Sequence, residues 1–337
     1  MGMKDMSQRA IAVPGPYRLR LIAGTLGLTL IAWVLVAGQN APPFALLVAA
    51  AVAPLAVLGA VWGRLQQPFP MRALLIGAVV GPLIAIVAYP IVAGFAVTFL
   101  FGFADSGHHL LEMLRADPKL INVLASPWVI LLLIEVATVS PLTEEVGKAL
   151  GALLTRPRTR PEAFLFGVAA GVGFAIVENV LYAVGAAIAG GPWPAVAVAR
   201  SMGAAVHPLA TGLVMLGWWE WRQGCGRLLR GYLSGVGIHA LWNGTLIVVG
   251  VIAGAIAVSG DAEAYTPIAL TFTAVLGTVL AAVLWRTAGA VAGERDPFAG
   301  LSFAQAQPIA VWTLLSAALL VPIAVLVLAF PDFYRGG

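Results

Sequence analysis

Pro141-Leu142-Thr143-Glu144-Glu145-Val146-Gly147-Lys148 sets two adjacent carboxylates and an ammonium inside a chain that is otherwise strongly apolar. Ionisable side chains at membrane depth are costly to insert, so a cluster of them marks a functional site by default. On a helix, Glu144 and Lys148 stand at i and i+4, and Glu145 and Lys148 at i and i+3, so the amine can neutralise one carboxylate and leave the other uncompensated. More polar groups follow at helical spacing. Gly167, Gly171, Phe174 and Glu178 share one stripe, with Asn179 beside it. Arg200, Ala204, His207 and Thr211 share another, and Gly231, Gly235, His239 and Asn243 recur every fourth residue. Buried carboxylates, imidazoles and an amide suit proton transfer to and from a water molecule, metal ligation, or both.

The elements that must position these groups follow from composition. With 61% hydrophobic and 10% charged residues among 337 and a mean hydropathy of +0.96, the chain reads as an all-α, polytopic membrane helix bundle. Nine hydrophobic segments stand out, near 19–37, 44–62, 72–101, 127–154, 162–189, 195–219, 229–257, 265–289 and 307–330. With the N-terminus inside, only Arg115, Lys119, Arg200 and Arg335 of the 19 Lys and Arg residues fall on the outer side. The positive-inside rule therefore predicts N-in and C-out. The net charge of +4 belongs to this topology and does not call for nucleic acid. Residues 1–18 lack a cleavable-signal pattern, and the connections leave no room for a separate soluble domain. A single integral membrane domain, 1–337, is expected, with its motif-bearing core at 127–257 and flanking helices at 19–101 and 265–330.

Local sequence adds detail. Ser140-Pro141 should kink or break the fourth segment, with Thr143 or Ser140 capping a new helix whose first turn holds Glu144 and Glu145. Pro208 should bend the sixth segment beside His207. Arg200 reads either as a member of the His207 stripe or as an interfacial anchor. His239 lies about 16 Å along its helix from the inner end, so the two imidazoles can meet near the bilayer midplane. Cys225, the single cysteine, falls in a loop and reads as a bystander thiol. His108, His109 and Glu112 have a spacing that can bind metal but read more simply as a solvated loop. The glycine pairs at GxxxG spacing read as internal packing faces.

Taken in order, Glu144-Glu145-Val-Gly-Lys148, Phe174-Ala-Ile-Val-Glu178, His207 and His239-Ala-Leu-Trp-Asn243 resemble the EExxK, FxxxE, His and HxxxN motifs of the PrsW family of intramembrane proteases. That family is related to the CAAX prenyl protease and bacteriocin-processing group. The CAAX-type motif EExxxR and its His are replaced here by Lys148 and Glu178, which places the resemblance on the PrsW branch. It covers residues 144–243. It implies a peptidase in a bacterial-type cytoplasmic membrane that cuts a membrane-anchored protein, such as an anti-sigma-factor-like regulator, with Glu144, Glu145, Glu178, His207 and His239 as catalytic candidates.

The chemistry agrees with hydrolysis by an activated water. Glu144 or Glu145 can be the base, and Asn243, Lys148 or a protonated His can stand near the oxyanion. No motif helix offers a Ser beside a His, and Cys225 lies outside the cluster. Either a divalent ion such as Zn2+ is held by His207, His239 and one carboxylate, with Glu178 the expected one, or the carboxylates share protons in a metal-free glutamate protease. The two-His, one-carboxylate set favours the metal. The competing class is a proton- or ion-coupled transporter built on the same Glu and His residues, extended by Glu135, although no inverted repeat is visible.

Overall fold

The computed structural model describes residues 41–100, 120–188, 193–258 and 262–294, all of them in helices or the short connections between helices. Ten α-helices run in chain order: α1 Ala41–Leu65, α2 Met71–Leu100, α3 Leu120–Leu124, α4 Pro127–Ile134, α5 Ser140–Leu153, α6 Arg160–Ile188, α7 Trp193–Met202, α8 Val206–Arg222, α9 Leu228–Val258 and α10 Ala262–Ala292. A π-turn, Glu135–Val139, joins α4 to α5. The first and last hydrophobic segments of the sequence reading, and the His108, His109 and Glu112 loop, lie outside the described residues.

Among the described residues, three stretches are long and apolar enough to cross a membrane: Arg160–Ala183, Leu228–Ile252 and Thr271–Ala292. Shorter apolar helices occupy Ala50–Leu65 and Met71–Ile84. The outward stripes are apolar as well. Leu75, Val79, Leu83 and Val87 on α2, and Phe272, Val275, Val279 and Val283 on α10, are exposed at every third or fourth position, as a face meeting hydrocarbon requires.

The chain divides into two compact units. One contains Met71–Phe174 and Met202–Leu284, the other Met1–Pro70, Ala175–Ser201 and Trp285–Gly337. In the first unit, Gly171 packs so closely on α8 that a Cβ would stand 2.4 Å from the His207 carbonyl oxygen. Gly231 meets Gly217 backbone to backbone, where a Cβ would be 2.6 Å from the Gly217 Cα. These close approaches bring α6, α8 and α9 together, and the GxxxG spacings at 167–171 and 231–235 serve packing inside the unit. In the second unit, the end of α1 is tied to the end of α10. The buried Arg64 guanidinium donates to the Trp285 carbonyl at 2.9 Å and to the Glu294 carboxylate, and it lies over the Trp285 ring.

Two local signals decide helix ends. Thr159 caps α6 by accepting from the Glu162 backbone N–H at 3.2 Å, while the Glu162 carboxylate accepts from the Arg158 N–H at 2.7 Å, a reciprocal arrangement of the capping-box kind. Between α8 and α9, Gly224 and Gly226 take φ values of 83° and 64°, left-handed conformations that let the chain reverse within Gln223–Arg227. Cys225 is exposed in that loop with a free thiol.

Two details differ from the sequence expectation. The sixth segment is not one bent helix. It breaks at Gly203–Ala205, five residues before Pro208 at the far edge of that break, and Pro208 sits in the first turn of α8, where no intrahelical donor is required of it. Gly203 is held against the Trp242 indole, where a Cβ would be 2.3 Å from the ring, so the break is fixed by packing on α9. Arg200 and His207 therefore share neither a helix face nor a unit. Ser140-Pro141 also does not start a freshly capped helix. The backbone passes from α4 to α5 through the π-turn, Val139 precedes α5 in helical conformation, and no side chain caps the end. Glu144 and Glu145 consequently lie in the second turn of α5.

Candidate active site

Six of the motif side chains meet in the first unit: Glu144, Glu145, Lys148, Phe174, His207 and His239. Lys148, wholly buried, extends from α5 so that its ammonium lies 3.1 Å from Glu144 Oε2, 2.8 Å from Glu145 Oε1 and 2.9 Å from His207 Nδ1. Three protons thus face three acceptors on two helices. The same ammonium stands 4.0 Å from the centre of the Phe174 ring, which packs on His207 with centroids 5.3 Å apart. Phe174 of the FxxxE motif contributes a π face that helps to keep the charge buried.

Glu145 is fully buried and accepts three hydrogen bonds. Lys148 donates to Oε1, His239 Nδ1 lies 3.1 Å from the same oxygen, and the Thr211 hydroxyl donates to Oε2 at 2.8 Å. A carboxylate offers about four lone-pair sites. One remains for a water proton. Glu144 accepts from the Ser140 hydroxyl on Oε1 and from Lys148 on Oε2. Its environment is more open than that of Glu145, with 7% of its surface exposed against none.

The imidazoles of His207 and His239 pack edge to face with centroids 4.6 Å apart. With Nδ1 of His239 turned to Glu145, its Nε2 is buried without a hydrogen-bond partner, 3.7 Å from Glu144 Oε2. A buried ring nitrogen left in this state is unusual. A carboxylate on the opposite ring nitrogen is how proteins orient a metal-binding histidine. One ligand atom each from Glu144, His207 and His239 lies within 4.8 Å of the others, a group of nitrogen and oxygen donors that fits a zinc-like divalent ion. Glu144 and Glu145 carry two negative charges against one on Lys148, so a cation also improves the charge balance.

Glu178 is placed differently. It lies in the other unit, where its carboxylate accepts from the Arg200 guanidinium, which also donates to Asn179 Oδ1 at 2.8 Å. Asn179 in turn donates to the Ala50 carbonyl at 3.0 Å. The metal set expected from sequence was His207, His239 and Glu178. The three donors whose ligand atoms lie within 4.8 Å of one another are those of Glu144, His207 and His239, while Glu178 pairs with Arg200.

Asn243 donates from Nδ2 to the Val136 carbonyl, at 2.9 Å. Two further residues complete the arrangement: Thr211, the member of the His207 stripe four residues after it, and Tyr232, not singled out in the sequence and seven residues before His239, whose hydroxyl donates to the Leu142 carbonyl at 2.7 Å. Each shares a helix face with a motif histidine, the one signal by which the sequence could have revealed it.

A group of this composition, buried among apolar helices, suits hydrolysis by an activated water within a membrane. The profile described as PrsW family intramembrane metalloprotease matches residues 67–276, well over half of the chain and the whole of the cluster. The chain belongs to the PrsW family, and it is a peptidase. No significant match is found among curated proteins or among solved structures. The transporter reading gains no support from the match.

Proposed function

We propose that the protein hydrolyses a peptide bond of a membrane-anchored protein within the bilayer, using a divalent ion held by Glu144, His207 and His239. The observation that carries this reading is the convergence of those three ligand atoms, with His239 Nε2 buried and unpartnered at 3.7 Å from Glu144. When bound, zinc supplies Lewis-acid chemistry, acidifying water and polarising a carbonyl.

The chain's own groups do the rest. Glu145 has one acceptor position left after Lys148, His239 and Thr211, so it takes the proton of the attacking water and passes it to the leaving amine. The same carboxylate keeps His239 in the tautomer that presents Nε2. Lys148 holds Glu144, Glu145 and His207 together before substrate arrives. The apolar surroundings exclude bulk water and strengthen these interactions.

The remaining features of this reading are a multi-pass chain of nine crossings in a bacterial-type cytoplasmic membrane, oriented N-in and C-out, and a substrate of the anti-sigma-factor-like, single-span kind. The test is cleavage of a single-span reporter by purified protein after chelation and after zinc is returned. Loss and recovery of activity is expected. Undiminished cleavage by metal-free protein would reject the ion and leave the glutamates with the chemistry.

A further inference from the structure

We propose that Asn243 is a positioning residue: by donating to the Val136 carbonyl it holds the π-turn Glu135–Val139 open and so sets the rotation at which α5 presents Glu144 and Glu145 to the two histidines. Within the turn, the Ser140 N–H goes to the Glu135 carbonyl, five residues back. In an α-helix that same N–H would serve Val136, and in continued π spacing Val136 would be served by residue 141. Residue 141 is proline and has no N–H. With the Ser140 N–H given to Glu135 and no N–H at residue 141, neither residue that could serve the Val136 carbonyl does so, in a segment too apolar to leave a carbonyl unsatisfied at low cost. Asn243 supplies the donor from α9 at 2.9 Å.

The consequence for the site is angular. A π-turn carries one residue more than the α spacing it replaces, and each residue of an α-helix turns the face by about 100°. If the turn relaxed to α spacing, Glu144 and Glu145 would rotate away from His207 and His239. Asn243 is well placed to prevent this, because it lies one turn beyond His239 on the same helix, and its hold on the turn is carried by the helix that also carries the imidazole. Tyr232, on the same face of α9, holds the other side of the turn through the Leu142 carbonyl at 2.7 Å. Thus α9 grips the broken helix at Val136, Leu142 and Glu145. This role differs from oxyanion stabilisation, the task the motif position suggests, since the amide acts on the backbone.

The zinc part of the test rests on the reading proposed above; the exchange part does not. Full-length protein in detergent micelles is compared as parent, Asn243→Leu and Asn243→Gln. Amide hydrogen exchange is followed across residues 134–143, and zinc affinity is measured against a competing fluorescent chelator. We expect Asn243→Leu to exchange at least tenfold faster across 134–143, with residues 206–222 unchanged, and to bind zinc at least tenfold more weakly. Asn243→Gln, which keeps the donor on a longer arm, should recover much of both. Exchange and affinity within twofold of the parent in Asn243→Leu would overturn the proposal, whether or not cleavage falls. Should Asn243→Leu fail to fold, Asn243→Ser decides, since its hydroxyl is too short to reach the Val136 carbonyl: faster exchange confined to 134–143 supports the role, and none refutes it. A parent that binds no zinc would remove the metal assignment while leaving the exchange result to judge Asn243.

Discussion

Buried charge is handled in two ways in this molecule. In the unit containing Ala175–Ser201, each described acid has its own guanidinium: Glu178 with Arg200, Glu294 with Arg64. Each pair is completed by amides, backbone carbonyls or an aromatic face. In the other unit, two carboxylates and the His207 imidazole share a single ammonium, and a second imidazole, His239, keeps one nitrogen without a partner. The balanced pairs tie one helix to another. The unbalanced cluster has capacity for a proton or a cation, which is what a hydrolytic site needs. An excess of acceptors in an apolar interior costs stability, and the enclosing Lys148, Thr211 and Ser140 donors offset it.

That contrast can be broken most sharply at Glu145. Glu145→Gln keeps shape and volume but cannot take a proton, so cleavage of a single-span reporter should fall by roughly 10²- to 10⁴-fold while membrane abundance stays normal. Full activity in both Glu144→Gln and Glu145→Gln would remove the carboxylate from the mechanism. Next in size, His207→Ala or Glu144→Gln should weaken zinc binding by about a hundredfold or more, read by chelator competition. The same measurement on Glu178→Gln should show no more than about a twofold change if Arg200 is the true partner of that carboxylate.

Glu178→Gln and Arg200→Gln should instead act on stability. Removing one member of a buried pair costs up to roughly 3–5 kcal/mol, and less where water reaches it, as it does here with side chains 11% and 14% exposed. Thermal unfolding in micelles should show either single variant less stable than the parent, and the Glu178→Gln/Arg200→Gln double variant less destabilised than the sum of the two. A loss of zinc affinity without a loss of stability in Glu178→Gln would return Glu178 to the metal site. The smallest effect is expected at Cys225→Ser, where an exposed loop thiol is exchanged for a hydroxyl: cleavage and stability should remain within error.

Much of the site was legible because its parts are local. Glu144, Glu145 and Lys148 are three and four residues apart, so helical geometry alone pairs them, and the ion pairs at 3.1 and 2.8 Å are those the spacing implies. The stripe Gly231, Gly235, His239 predicts a close helix contact that ends in an imidazole, because small residues at every fourth position admit a neighbouring backbone wherever they fall. Hydropathy likewise marks Arg160–Ala183 and Leu228–Ile252 as long apolar helices regardless of their neighbours. The family followed from the order of these motifs along the chain.

Tertiary structure decided what no spacing contains. The break at Gly203–Ala205 depends on the Trp242 ring from another helix, so continuous helical periodicity across 195–219 gave no warning of it. Glu144 pairs with Lys148 one turn away, whereas the cation that Glu178 meets, Arg200, is 22 residues away in sequence and on another helix. The π-turn needs both a proline inside the helix and an amide donor from α9, 107 residues from Val136. Sequence determines which groups can do chemistry and which helix carries them. Their final phase, partner and protonation are set by contacts between helices, because hydrogen bonds and packing act through space and a single residue of register turns a helix face by about 100°.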